Sequence, residues 1–251
     1  MLNEIKSLAH HGKQFVKDLR TQSVSPLFRG RPYIAGDIIA DDIKAAAAIC
    51  PSGAIDSNTG SIDLGRCLFC RECEFLNPEK IKFTNDYRIA SNNRDALIIK
   101  PGDNYPVRLD ETSVRKEVRK LFKRSLKLRQ VSAAGDNSCE MELGACGNVN
   151  FDMGRYGIEF VASPRHADGI VVTGPVSENM ARALELTYEA VPEPKIIILA
   201  GTDAISGGIF EGSQALDRSF LEKHHIDLYV PGNPAHPLTF INGVMDLVGI
   251  K

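Results

Sequence analysis

The sequence has little net charge, few cysteines and no long apolar run, and each shortage closes off a class of protein. No stretch approaches the ~20 consecutive apolar residues that span a bilayer. The opening residues, MLNEIKSLAHHGKQF, lack the continuous apolar core of a signal peptide. A chain of 251 residues with a formal charge of −2 has no global attraction to nucleic acid or anionic lipid, so no nucleic-acid partner is expected and electrostatic docking must be local. Six cysteines, three of them close together, are too few and too clustered for a disulfide scaffold, and a core of this size needs no staples. A reducing, cytoplasmic compartment is expected. There is no P-loop, no G-x-G-x-x-G turn after a strand and no nucleophile elbow, so nothing marks a nucleotide or acyl-transfer site.

What is present divides into three parts: a cysteine-bearing segment over residues 1–100, a basic connector over 101–130, and a C-terminal stretch over 131–251. In the connector, Thr112 to Arg129 reads as an amphipathic helix, with Val114, Val118, Leu121 and Phe122 on one side of a basic surface. Such a helix docks on an acidic partner or a membrane surface, or packs on its own domain. Beyond Gln130, strand-like runs at 157–162, 169–173, 195–199 and 226–230 alternate with helical stretches at 177–190 and 238–248. That alternation predicts right-handed crossovers and a doubly wound parallel α/β sheet, with sites in the loops at the carboxyl ends of the strands. A first helix is expected around Leu2, Ile5, Leu8, Phe15, Val16 and Leu19, lying on a membrane, on a membrane subunit or on its own domain.

The cysteines carry the most specific signal. Cys67, Cys70 and Cys73 repeat at C-x-x-C-x-x-C spacing, followed by Asn77-Pro78, and a separate Cys50-Pro51 lies upstream. In bacterial two-cluster ferredoxins the pattern C-x-x-C-x-x-C-x-x-x-C-P occurs twice, and the fourth cysteine of each repeat ligates the cluster held by the other. With that crossed wiring, Cys50, Cys67, Cys70 and Cys73 form one complete set for a [4Fe-4S] cluster. Ala40, Ile43, Ala46 and Asn77 occupy the positions of the other set. Four losses placed at random on eight positions leave one set whole in only about two of 70 arrangements, so the pattern is that of one site kept and one site refilled by apolar packing. Thiolates are soft anionic ligands suited to iron and sulfide, although four of them also suit tetrahedral zinc.

Phe28-Arg-Gly-Arg-Pro32, Cys50-Pro-Ser-Gly-Ala-Ile55 and Leu64-Gly-Arg-Cys67 resemble the ferredoxin-like subunit of formate hydrogenlyase and its 23-kDa counterpart in respiratory complex I. Residues 124–131, Cys139-Glu-Met-Glu142, Ser163-Pro-Arg-His-Ala-Asp168, Thr173-Gly-Pro175, Ser206-Gly-Gly-Ile-Phe210 and Tyr229-Val-Pro-Gly232 resemble the small subunit of energy-converting [NiFe] hydrogenases and the 20-kDa subunit of complex I. The resemblance implies a ferredoxin-like α+β domain fused to a flavodoxin-like α/β domain. It also implies a large-subunit partner of the 49-kDa type, membrane subunits, and a place on the inner face of the cell membrane.

In the resembled small subunits four cysteines hold a proximal [4Fe-4S] cluster, and this sequence departs at three of those positions. They read Asp136, Cys139, Asp203 and Asn233. One thiolate, two carboxylates and an amide do not make a cubane site, so the proximal cluster is expected to be lost, while a single harder cation stays open. Cys146 matches no ligand position and reads as a small packed residue. His166 reads as a loop residue with a structural hydrogen bond or a proton role, and His224, His225 and His236 have no ligand spacing. The sequence thus points to a non-catalytic iron–sulfur subunit of a membrane-associated oxidoreductase, relaying electrons or scaffolding. The alternative is a regulatory or assembly module that has left the complex.

Overall fold

The computed structural model describes residues 2–12 and 14–250. Its central element is a five-stranded, all-parallel sheet of β5 (Leu126–Ser132), β6 (Ile158–Phe160), β7 (Gly169–Thr173), β8 (Ile196–Ala200) and β9 (Leu228–Val230), in spatial order β6-β5-β7-β8-β9. This is the flavodoxin-like order, in which the direction of winding reverses between the first and third strands of the sheet. β7 and β8 are buried at every residue, as required of strands covered on both faces.

Alternate residues of these strands enter two cores. Ile170, Val172, Ile197 and Leu199 face one side, packed with Leu184 of α6 (Glu178–Ala190) and Phe220 of α8 (Ser219–Lys223). Val171, Ile196, Ile198 and Ala200 face the other, against α5 (Ser138–Cys146) and α9 (Pro237–Val248). The period of two along a strand is what sorts them. Helix α9 is buried along its length except at Asp246, which explains why its sequence is apolar nearly all round.

The N-terminal half is built from two small antiparallel pairs. β1 (Pro32–Ile34) pairs with β3 (Ile81–Phe83), and β2 (Ile62–Asp63) pairs with β4 (Ile98–Ile99). Helices α2 (Ala40–Ile49) and α3 (Glu72–Leu76) lie beside them. Ile34, Ala54, Leu64 and Leu97 belong to the same core as Ile170, Leu199, Ala204 and Ile205, so one apolar interior crosses between the halves. A backbone bridge between Ser91 and Tyr229 adds hydrogen bonds of 3.0 and 2.8 Å.

Two sequence expectations are corrected. The connector helix does not run from Thr112 to Arg129: α4 spans only Lys116–Phe122, and Leu126–Ser132 is strand β5, inside the sheet. Residues 126–129 alternate apolar and basic, a strand signal hidden within the basic run. Val118 and Phe122 are buried in the second core, while Leu121 is exposed. The first helix, α1, covers Leu2–His11 and stops there. Leu2, Ile5 and Leu8 are exposed, whereas Val16 and Leu19 lie beyond the helix and pack against the C-terminal half. No described helix is long and apolar enough to cross a membrane.

Candidate metal centre

Cys50 follows α2 as its C-terminal cap, Cys67 and Cys70 lie on the loop after β2, and Cys73 lies in the first turn of α3. The fold brings all four to one cavity, walled by Ala54, Ile55, Ile62 and Phe83. The loop closes around that cavity because Phe69 and Arg71, with φ of 54° and 70°, adopt left-handed conformations between the cysteines. Such conformations are uncommon for residues with a side chain. In this loop the Phe69 N–H donates to the Cys67 Sγ at 3.3 Å, and on the separate turn after α2 the Ala54 N–H donates to the Cys50 Sγ at 3.3 Å.

Burial pushes the Cys67 and Cys73 thiols upward, Cys73 to about 12, with further increments from the neighbouring cysteines; the amide to Cys67 acts in the opposite direction. Thiols so placed ionise when a cation compensates their charge, which is what metal ligation does. Outside the ligands, Arg71 grips Glu74 in a two-pronged pair at 2.8 and 2.7 Å, and Glu74 accepts from the Phe83 N–H at 3.2 Å. This pins α3, and with it Cys73, to β3.

The positions of the second set look different. Ala40, Ile43 and Ala46 lie on α2, which is a regular helix through all three. Beyond the first turn its amides are committed to the helix's own hydrogen bonds, and the Ile43 amide donates to the Ile39 carbonyl at 3.1 Å. Ala46 is fully buried and Ile43 is 8% exposed, while Asn77 donates to the Asp42 carbonyl at 3.4 Å. The loop glycine Gly60 (φ +72°) is where Ile43 fits: a Cβ added there would lie 2.8 Å from the Ile43 Cδ1.

Asp136, Cys139, Asp203 and Asn233 all lie at the carboxyl edge of the parallel sheet. Asp136 follows β5, Cys139 opens α5, Asp203 lies on α7 (Thr202–Ser206) after β8, and Asn233 follows β9. The Cys139 Sγ is seated against Gly201, where an added Cβ would be 2.4 Å away. Its thiol is pushed up to about 12 by burial. Asp203 is also raised, first by burial and then by the charge of Asp136. Asp136 itself is lowered by the Ser138 hydroxyl and N–H, which it accepts at 2.6 and 2.9 Å. Asn233 is exposed and precedes a cis proline. Among the described residues no group of three or more His, Cys, Asp or Glu side chains could hold a single metal ion, and neither set converges on one point. The Cys50, Cys67, Cys70 and Cys73 side chains line one small cavity.

The two regions are adjacent. Thr202, next to Asp203, donates through its hydroxyl to the Cys67 carbonyl at 2.8 Å, a contact with no signature in the sequence. Cys146 is fully buried with its thiol on the Glu142 carbonyl at 3.4 Å, and His166 is exposed at the end of a single 3-10 turn. His224 sits against the rings of Tyr188 and Phe220.

The family described as NADH ubiquinone oxidoreductase, 20 Kd subunit, matches residues 137–247, which take in α5 through β9 and nearly all of α9. An NADH-quinone oxidoreductase subunit from Geotalea daltonii is 39% identical over 109 residues, 43% of this chain. This chain spans 64% of that relative's length. A probable membrane-bound hydrogenase subunit from Pyrococcus furiosus is 34% identical over 126 residues, which cover 50% of this chain and 75% of the relative. A chain from the membrane-bound sulfane sulfur reductase, an archaeal respiratory membrane complex, covers 53% of this one and 73% of itself at 27% identity, with a TM-score of 0.45. Through this C-terminal half, the chain belongs to the family of the NADH ubiquinone oxidoreductase 20 Kd subunit.

Proposed function

We propose that this chain is an iron–sulfur subunit of a membrane-associated, complex I-like or [NiFe]-hydrogenase-related oxidoreductase, carrying one [4Fe-4S] cluster on Cys50, Cys67, Cys70 and Cys73. Residues 1–100 act as a ferredoxin-like domain, residues 101–125 lead from it to the sheet, and the sheet that begins with β5 at Leu126 forms the 20-kDa-type domain, so the connector ends at residue 125 rather than at 130. The chain's partners are a large-subunit homologue of the 49-kDa type and membrane subunits of the same assembly. The observation that carries this reading is the cavity shared by the four cysteines, with backbone amides aimed at their sulfurs.

When bound, such a cluster supplies one-electron redox chemistry. The chain's own residues fix where it acts. Phe69 and Arg71 shape the ligand loop, the Arg71–Glu74 pair holds α3, and the apolar walls exclude water from Cys67 and Cys73. Asp136, Cys139, Asp203 and Asn233 do not make a second cluster site, which supports a scaffolding or electron-relay role in place of hydrogen chemistry at a large-subunit site.

Anaerobic purification followed by iron and acid-labile sulfide analysis, with EPR of the reduced protein, is the direct test. About four irons and four sulfides per chain are expected, with a single cluster signal. Zinc in place of iron, or iron content unchanged in a Cys67→Ser variant, overturns the assignment. Redox titration of the intact complex separates relay from scaffold, and recovery of the chain without any large-subunit or membrane partner supports the regulatory or assembly alternative.

A further inference from the structure

A second cavity lies well apart from the cysteines, between α4, α9 and the segments at 86–90 and 106–111. It is an open groove of about 1080 Å³, and its charge is lopsided. Six cations line it (Arg20, Arg88, Arg108, Arg119, Lys120 and Lys123) against three carboxylates, Asp86, Glu111 and Asp246. The carboxylates are already engaged. Asp246 pairs with Arg20, Glu111 pairs with Arg119 at 3.1 Å, and Asp86 accepts from the Arg88 N–H at 2.9 Å. That leaves the side chains of Arg88, Arg108, Lys120 and Lys123 with no protein partner among the described residues.

A run of exposed cations is ordinarily a solvated face, and it would remain one here but for the groove's floor. Asn242 of α9 is 1% exposed, and its amide donates to the carbonyls of Leu19 and Leu238 at 2.8 and 2.9 Å. Its Oδ1 is buried with no donor, and the Nε of Arg119, also on the groove, is buried with no acceptor. Buried polar atoms are rarely left unpaired, so a missing acceptor and a missing donor at one cavity call for a ligand that carries both. We infer that the groove between α4 and α9 binds a phosphate-bearing ligand with a neighbouring hydroxyl. The phosphate lies among Arg88, Arg108, Arg119, Lys120 and Lys123, and the hydroxyl donates to Asn242. Arginine suits this role because its planar fork matches phosphate oxygens, and lysine adds point charge. Val107, Leu109 and Ile250 give the rest of the molecule apolar wall. A glycerophosphate lipid headgroup and a soluble glycerol or sugar phosphate both carry this chemistry.

The test uses the full chain, titrated with glycerol 3-phosphate, with inorganic phosphate and with phosphatidylglycerol vesicles against phosphatidylcholine vesicles. Arg108→Gln with Lys120→Gln removes two exposed charges from the groove, and Arg165→Gln with Arg182→Gln is the charge-matched control elsewhere on the surface. The groove variant is expected to lose about tenfold in affinity and the control less than about twofold. Glycerol 3-phosphate is expected to bind more tightly than inorganic phosphate; equal affinity overturns the part assigned to Asn242. Sensitivity in the soluble arm identifies a soluble phosphate, and sensitivity confined to phosphatidylglycerol vesicles identifies a headgroup. Binding absent in both arms, or as strong in the groove variant as in the control, overturns the proposal. Vesicle binding that survives in the groove variant belongs to another surface and counts against it.

Discussion

The hydroxyl of Thr202 donates to the backbone carbonyl of Cys67 at 2.8 Å, joining the edge of the parallel sheet to the loop that carries Cys67 and Cys70. Both groups are buried. Removing the donor orphans the carbonyl at a cost of about 1–3 kcal/mol. Thr202→Val is expected to lower the unfolding free energy by that amount in denaturant titrations, with Thr202→Ser retaining most of it. Equal stability of the Val variant and the parent would mean that the bond contributes nothing.

Cysteine substitutions should fall into two classes. Cys67→Ser removes a thiol that lines the shared cavity, and iron content is expected to collapse. Cys139→Ala alters a thiol that lies alone among Asp136, Asp203 and the Ala235 N–H, and is expected to leave iron unchanged. Iron analysis of the two purified variants checks both.

Ile43 stands where the two-cluster ferredoxin pattern would put a ligand but is buried, so it should behave as a core residue. It is 8% exposed, and its side chain fills the space where a Cβ on Gly60 would project. Ile43→Ala is expected to cost about 2–4 kcal/mol of stability by cavity formation while leaving iron content unchanged. Thermal melts alongside iron analysis measure the two quantities independently.

His236 caps α9, its Nδ1 accepting from the Leu238 N–H at 3.1 Å, and burial lowers its affinity for a proton below the ordinary histidine value. The folded state therefore binds this proton less readily than the unfolded chain. Its contribution to stability is complete above pH ~6.5 and is lost progressively as the pH falls below that value. His236→Asn keeps a cap acceptor without the titration, so its stability curve is expected to be flatter between about pH 5 and 6.5. Chemical denaturation across that range gives the comparison.

Much of the sheet was legible because β7 and β8 are short, uniformly apolar and bounded by turn residues, as doubly covered strands must be. Strand β5 was not, since Lys127 and Arg129 alternate with its buried Leu126 and Leu128 and extend the charge of the preceding helix. The same ambiguity lengthened α1 toward Leu19, a residue that is apolar for a different reason: it plugs the C-terminal core. At the candidate site, the cysteine spacing picked out Cys50, Cys67, Cys70 and Cys73, and the fold places all four on one cavity. The Thr202 contact and the orphaned Asn242 oxygen depend on which segments the fold makes neighbours, and no local pattern encodes that.

The interior shared by Ile34, Leu64, Ile170 and Ile205 also acts as a strut. Segments joined by a sparse polar interface swing on their linker, whereas a common apolar interior suppresses that freedom. The separation between the cysteine cavity and the carboxyl edge of the sheet is thus built into the chain as it folds, and any assembly that takes up this protein receives that spacing ready-made.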